Sequence, residues 1–472
     1  MGLLSENFSN NINNINKLLR VDESFDLIYR TFKIAQKRAA FYFIDGFVKD
    51  ELLEKIMEAF FNINDKDMVS DHHQFLKSKL PYIEIDETDD EEALILNVLS
   101  GVVALLIEGY GKIMLIDVRT YPMRSVDEPS KDKVFRGSRD GFVETLVANT
   151  ALIRRRIRST SLTFEMFNVG KTSKTDVVIG YMEDRVDKRL LSDIKAKLNN
   201  MKIESLSMNQ QSLAESLYKG KWFNPFPKFK YTERPDTSAS AIMEGHIVIL
   251  VDTSPASMII PVSFFDIIEE ADDYYFPPIT GTYFRFTRTL ITFIALFLTP
   301  VFLLFANDII PTPEWLEFIK IKEEINIPII VQLFILEIAV DGMKLAAVNT
   351  PDMLNTPLSI IIGFVLGDAA INSGWFNSEI MLYMSFVAFA NFTHGNFELG
   401  YALKFLRMLL LLLTNFFGIF GFMGGTIIIF MLVAFNKTVS NESYIYPLIP
   451  FDGKKLLNIF IRRSKTTMNN KN

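Results

Sequence analysis

The chain has 472 residues, 49% of them hydrophobic and 22% charged, with no cysteine and a net charge of −7. That balance is too apolar for a disordered chain and too ordinary in Gly and Pro for collagen or low-complexity classes. The lack of cysteine removes disulfide scaffolds, thiolate catalysis, iron–sulfur clusters and Cys-ligated zinc, and no basic excess points to nucleic acid.

Residues 1–20 are Asn-rich and polar and are expected to form a flexible tail; Met1 to Lys17 holds no apolar core of a secretory signal, so the front half is expected to stay on the side where it is made. Phe25, Ile28 and Phe32 recur at helical spacing and Glu51 to Phe60 is a second amphipathic stretch, so residues 24–65 read as helical. His72-His73 lacks ligand spacing and reads as a surface pair. Val102 to Ile107 and Ile113 to Val118 read as a hairpin turned at Glu108-Gly109-Tyr110-Gly111. The stretch Tyr121 to Ser159 then leads to a second module. It ends in a helix predicted over Gly141 to Arg158, which carries Arg154, Arg155, Arg156 and Arg158. Such a run suits a solvated or interface face, or contact with anionic lipid or an acidic partner.

In the second module Val177 to Tyr181 reads as strand, and Asp187 to Leu198 as a helix with Leu190, Leu191, Ile194 and Leu198 on one face. Met201 to Ile203 reads as a further strand, and this order is α/β. Trp222 to Pro235 reads as a packed connector, and strands follow at Ile247 to Val251 and Met258 to Pro261. Leu106-Ile107-Glu108-Gly109, followed by Ile113 to Asp117, is echoed by Ile242-Met243-Glu244-Gly245, followed by Ile247 to Asp252. The echo points to two related subdomains, 21–160 and 161–285. No GxxxxGK[ST], GxGxxG, HExxH or GxSxG occurs, so no catalytic, cofactor or metal residue is expected.

From Leu290 to Asn436 only 16 of 147 residues are charged, half the density of the whole chain. A hydrocarbon core of about 30 Å needs about 20 apolar residues. Six segments are expected to cross it within a transmembrane domain at 286–436: 290–306, 325–343, 356–372, 379–394, 405–420 and 422–436. Arg285, Arg288, Lys344, Lys404, Arg407 and Lys437 fall on one side of this scheme, opposite an acidic loop with Asp308, Glu314, Glu317, Glu323 and Glu324. The positive-inside rule then puts both termini, including a basic tail at 437–472, in the cytoplasm. For residues 325–340 a re-entrant helix is the open alternative, but it breaks this sidedness. Gly418, Gly421, Gly424 and Gly425 favour a tight turn over one unbroken helix from Met408 to Phe435.

Three features of this domain bear on function. Glu337, at membrane depth if its segment crosses, must face protein or water. Thr356, Ser359, Gly363, Gly367 and Ala370 put a small stripe on one helical face, which serves either close helix approach or, repeated in several subunits, a water-filled path. Asp368 falls on the opposite face in the last turn, as an end-of-helix residue or a residue at a pore mouth.

Several strings are more specific than any periodicity. Glu128-Pro129, Val134-Phe135-Arg136-Gly137-Ser138-Arg139-Asp140-Gly141-Phe142, Asn149 to Arg158, Tyr231-Thr232-Glu233-Arg234-Pro235-Asp236, and Ile249-Leu250-Val251-Asp252-Thr253-Ser254-Pro255 resemble the GerA family of spore germination proteins, from about residue 24 to the tail. Asn224-Pro225-Phe226-Pro227, Glu379 to Met384, Phe397-Glu398-Leu399-Gly400-Tyr401 and Ser443 to Phe451 set the chain apart from the receptor A-type subunits of that family. The resemblance implies a protein of the inner spore membrane with a two-part α/β cytoplasmic region followed by an all-α polytopic transmembrane domain. It implies a homo-oligomer, a pentamer, around an ion path, acting in germination with a small partner membrane protein. On that expectation Ser359, Gly363, Gly367, Glu337 and Asp368 are the pore-lining candidates, and Arg154, Arg155, Arg156 and Arg158 the interface candidates. The competing expectation is a non-conducting scaffold or receptor A-type subunit.

Overall fold

The computed structural model describes residues 4–63, 85–120, 133–218, 223–349, 363, 367 and 369–462. The chain divides into two compact units. The first is Met1–Gly220 with Phe229–Pro261, and the second is Lys221–Lys228 with Val262–Asn472.

Among the described residues, the first unit carries two five-stranded antiparallel sheets. One is built from β1 (Leu27–Ile34), β2 (Lys37–Ile44), β3 (Ile85–Thr88), β4 (Val103–Ile107) and β5 (Ile113–Ile116) in the order β1-β2-β4-β5-β3. The other uses β6 (Leu162–Val169), β7 (Thr175–Met182), β8 (Lys230–Thr232), β9 (Ile247–Val251) and β10 (Ser257–Ile260) in the order β6-β7-β9-β10-β8. Numbered from its own first strand, each sheet is therefore 1-2-4-5-3. Helices fall at matching places: α2 (Asp50–Phe61) and α3 (Glu91–Leu99) in the first half, α5 (Lys188–Asn199), α6 (Asn209–Leu217) and α7 (Pro235–Met243) in the second, with α1 (Phe8–Leu19) before β1 and α4 (Leu146–Arg154) between the halves.

The internal echo is thus real, but its register differs from the expected one. Leu106-Ile107 ends a strand, whereas Ile242-Met243 ends a helix. The topological equivalents are Leu99-Ser100-Gly101 after α3 and Met243-Glu244-Gly245 after α7. Both helices stop in the same way. The Gly101 N–H donates to Val98 O at 2.9 Å and Val102 N–H to Asn97 O at 3.0 Å; Gly245 N–H donates to Ile242 O and His246 N–H to Ala241 O, both at 3.0 Å. The φ angles of +94° and +98° at the two glycines are what this helix stop requires.

Several further expectations are corrected. Residues 27–44 form two strands rather than helix. Sheet 1 is covered on both faces, with Phe41, Leu105 and Met114 under α2 and Tyr42, Leu106 and Leu115 under α1 and α3. Two-sided burial makes β2 a continuous apolar run, which hides the period of two. Residues 8–19, expected as flexible tail, form a helix capped by the Asn7 side chain, with Phe8, Ile15 and Leu19 in the core. The helix predicted over 141–158 is only Leu146–Arg154, because 142–144 are tied down outside it: Phe142 N–H donates to Glu233 O, and Asn149 exchanges two hydrogen bonds with the Val143 backbone. Met201 to Ile203 is not a sheet strand; Ile203 O instead accepts from the Lys171 N–H in the β6–β7 turn. Every ladder among the described residues is antiparallel, and α3 and α7 each join two strands that point the same way but are separated in the sheet by β5 or β10. Other expectations hold: the β4–β5 hairpin, α2, and α5 with Leu190, Leu191, Ile194 and Leu198 buried. The His72-His73 pair lies outside the described residues.

The second unit is helical: α8 (Pro278–Ala306), α9 (Ile329–Asn349), α10 (Ser378–Phe392), α11 (Phe397–Ala434) and α12 (Gly453–Phe460). Among the described residues, α8 and α11 are long and apolar enough to cross a membrane. The 38-residue α11 is not straight. Gly418 has φ +61° and ψ −137°, outside helical space. A Cβ at Gly421 would collide with the Leu413 carbonyl oxygen, and one at Gly425 would stand 2.6 Å from Leu410 Cδ1. Residues eight apart in a straight helix are separated by about 12 Å, so the chain reverses here, as the glycines lead one to expect. The legs on either side are 397–417 and 419–434. At the other helix ends, Gln332 and Asn377 clamp α9 to α10: Gln332 Nε2 donates to Asn377 Oδ1 at 2.9 Å, and Asn377 N–H donates back to Gln332 Oε1 at 3.0 Å.

Candidate functional site

In α9, Glu337, Asp341 and Lys344 follow at spacings of four and three, so they share a face; in α11, Lys404 and Arg407 do the same. The two faces meet. Arg407 Nε donates to Glu337 Oε1 at 2.7 Å, and Nη2 stands 2.6 Å from the same oxygen in ionic contact without hydrogen-bond alignment. Arg407 Nη1 donates to Ala295 O of α8, which ties a third helix to the pair. Lys404 Nζ donates to Glu337 O at 2.8 Å, lies 3.6 Å from Glu337 Oε2 and pairs with Asp341. Glu337 is 1% exposed and Arg407 0%. Two carboxylates and two cations thus cancel around a Glu337–Arg407 pair sealed from water, with Asp341 partly exposed at its edge, which is the arrangement a low-dielectric interior demands. Lys344 lies over the rings of Phe392 and Tyr401, at 5.1 and 5.5 Å.

Glu337, expected to face protein or water, is engaged by its own chain. Arg407, expected at a boundary, is ten residues into α11, about 15 Å along it; it is a counterion inside the bundle. The balanced pattern of Glu337/Asp341 against Lys404/Arg407 is the signal that would have found the pair. Gly363 and Gly367 sit in helical backbone, and no described atom lies within 4 Å of a Cβ built on either. Ser359 and Asp368 lie outside the described residues.

The arginine run separates. Arg154 is 0% exposed, so it is withdrawn from the interface candidates. Its guanidinium forks onto Asp26 at 2.8 and 3.0 Å and also donates to Ser24 Oγ, Ser159 O and Leu162 O. All five N–H groups are satisfied, and they join the entry to β1 with the entry to β6. Arg156 pairs with Asp140 at 2.6 Å. Burial pushes the Asp140 carboxyl up, but Arg156 and the Ser138 hydroxyl overcome it and hold the group below its ordinary value. Arg155 and Arg158 are exposed.

Two strings that set the chain apart, Asn224 to Pro227 and Ser443 to Phe451, come together in the second unit. The Tyr444 hydroxyl donates to Pro227 O at 2.9 Å, and Asn224 Nδ2 donates to Asn436 Oδ1 at 2.9 Å. The Lys228 ammonium between them donates to Asn436 Oδ1 and Lys437 O and stands 4.9 Å over the Tyr444 ring. Burial pushes this lysine down to about 8. The tail beyond residue 436 is therefore built into the unit.

Residues 13–472 match the family described as Bacillus/Clostridium GerA spore germination protein. The chain is 35% identical over 449 residues to stage V sporulation protein AF of Bacillus subtilis, covering 94% of this chain and 90% of that one. It is 27% identical over 443 residues to spore germination protein A1 of Bacillus subtilis, with 92% and 89% covered. Among solved structures, the N-terminal domain of the A subunit of the Bacillus megaterium spore germinant receptor GerK3 aligns with 55% of this chain and 97% of its own, at 24% identity and a TM-score of 0.42. The charge-balanced helices and the duplicated sheets are thus those of a member of the GerA family of spore germination proteins.

Proposed function

We propose that this chain is a subunit of an oligomeric, ion-conducting membrane assembly that releases ions during spore germination. The observation that carries the reading is a contrast between helix faces. Phe293, Phe389, Phe416 and Phe430 are exposed on α8, α10 and α11 and suit lipid. The exposed Trp315 and Trp375 stand next to helix ends, where aromatic belts form. The face at Gly363 and Gly367 is small and uncovered by the described residues, which suits a neighbouring copy or a shared wet path. In this reading Ser359, Gly363 and Gly367 line the path and Asp368 stands at a mouth. Glu337 contributes to it only when freed from Arg407. The chain spans the inner spore membrane six times with both termini in the core, as a pentamer beside a small membrane partner and other germination proteins.

The test is reconstitution of the purified chain in liposomes. Ion flux that falls by an order of magnitude or more in Ser359→Leu and Gly363→Leu supports the reading. Absence of flux at every protein-to-lipid ratio leaves the scaffold, or the receptor A-type subunit, in its place.

A further inference from the structure

The last helix, α12, has only eight residues, and none of them is buried. Its sequence is amphipathic. At about 100° per residue, Leu456, Ile459 and Phe460 fall on one arc with Leu457 at its edge, and Lys454, Lys455 and Asn458 fall on the opposite arc. Helices shorter than about 12–15 residues are marginal in water on their own, so this one needs cover for its apolar arc. The unit supplies part of that cover. Phe460 stacks on Phe286 with ring centroids 5.8 Å apart and meets Phe265 edge-on at 6.4 Å. The rest is open. Leu457 is 46% exposed, Ile461 40%, and Phe451, just ahead of the helix, 74%. Apolar side chains exposed singly need no explanation, whereas several close together mark a surface that meets something apolar.

The hydrogen bonds of this segment fix where along the bundle the surface stands. Arg285 Nη1 of α8 donates to Asn458 O and Ile459 O at 2.9 and 2.8 Å, so it satisfies two of the carbonyls that the last turn of α12 leaves open. The Arg462 N–H donates to Thr282 Oγ1 of α8 at 3.1 Å. Ahead of α12, Ile449 lines a cleft with Phe430, Met431 and Phe435 at the end of the second leg of α11. The segment therefore runs from the end of one long apolar helix to the beginning of another. Arg285 lies about 7.5 Å along α8 from Leu290, which opens its uncharged run. The layer between hydrocarbon and water is about 5–8 Å thick on each side of a bilayer, so the segment stands at that depth if α8 crosses. Its exposed surface also continues onto α8, where Phe286, Leu290 and Phe293 share one face and are each more than half exposed.

We infer that residues 448–461 form an in-plane membrane anchor: α12 lies along the bilayer surface at the start of α8, with Phe451, Leu457 and Ile461 among the glycerols and upper acyl chains and Lys454 and Lys455 toward water. The inference rests on the membrane reading above and turns a basic tail into a lipid-binding element that zwitterionic lipid suffices to hold. The test uses the full chain with Trp222, Trp315 and Trp375 changed to Phe, carrying either Phe451→Trp or Leu457→Trp as the one reporter. Each is reconstituted into phosphatidylcholine vesicles whose lipid is brominated either near the glycerol end of the acyl chain or near its terminus. Tryptophan quenching is read, with acrylamide as the quencher from water. Both reporters should be quenched at least twofold more by the shallow bromine than by the deep one. Reporters that acrylamide quenches as fully as free tryptophan, and that bromine leaves alone, overturn the inference, since the segment is then a tail in water. Reporters shielded from both quenchers also overturn it, because protein such as a second copy then covers the surface; so does stronger quenching by the deep bromine, which means insertion across the leaflet. In those three cases a chain that floats with the vesicles keeps the membrane reading. Failure to float removes that reading, and the anchor with it.

Discussion

Arg154 in the first unit and Arg407 in the second are both fully buried and both paired with a carboxylate, yet they are held differently. Arg154 has acceptors for every N–H, three of them outside the Asp26 carboxylate. Arg407 leans on one carboxylate and one carbonyl, with Nη2 out of line. The first is a polar joint that charge removal dismantles. The second is an exchange of charge, dispensable so long as both signs leave together.

The largest effects expected follow from that difference. Arg154→Met and Arg407→Met, each leaving a buried carboxylate alone, should each cost about 3–5 kcal/mol in chemical or thermal unfolding of the full chain. Adding Glu337→Gln to Arg407→Met should return most of the loss. Adding Asp26→Asn to Arg154→Met should return little, because Ser159 O and Leu162 O stay without their donor. Equal rescue at both sites would erase the contrast.

Next in size is the reversal in α11. Gly418→Ala forces a side chain into backbone space held by glycine, at about 1–3 kcal/mol, and Gly421→Ala drives a methyl against the Leu413 carbonyl. Both should lower the melting temperature and raise protease sensitivity between the legs. A smaller effect tests the duplication. Gly101→Ala and Gly245→Ala should each cost about 1–2 kcal/mol for a left-handed residue. Similar losses at both sites would support equivalent helix stops, although Phe47 crowds one and the Arg185 carbonyl the other.

The most gradual effect, spread over a pH window rather than felt at one pH, is the dependence at Lys228. Its folded value of about 8 lies below the ordinary lysine value of 10.5. The unfolded chain therefore binds this proton more tightly, and stability rises as pH goes from about 8 toward 10.5, by at most about 1.4 kcal/mol per pH unit. Below pH 8 this group contributes no slope. Lys228→Met should flatten the profile in that window, as followed by denaturant midpoints.

Local signals were legible where a cap, a turn or a one-sided apolar stripe lies within a short stretch of chain. The helix after Asp187, the β4–β5 hairpin and the glycine turn at 418 all follow from residues close in sequence. The strands at 27–44 were hidden because β2 is covered on both faces and lost its alternation, while β1 is a largely exposed edge strand that, with Phe25 before it, places apolar residues at helical spacing. The N-terminal helix was hidden by its asparagines, of which Asn7 is a cap and Asn11 is buried. Asp26 and Arg154 lie 128 positions apart, and nothing near either one names the other. The duplication was visible in kind, but Glu-Gly occurs at two different turns, which shifted its register. For the site, Glu337 stood out as an ionisable group in an apolar run. Its partner did not, because Lys404 and Arg407 carry the sign expected of a helix end and so passed for one.

The joint at Arg154 has a mechanical consequence. With every donor engaged and the carboxylate gripped from two directions, the seam between the twin sheets has no slack to act as a hinge. A push delivered to one sheet is carried by the other as in a stiff lever, so compliance must be sought at the linkers rather than at that seam.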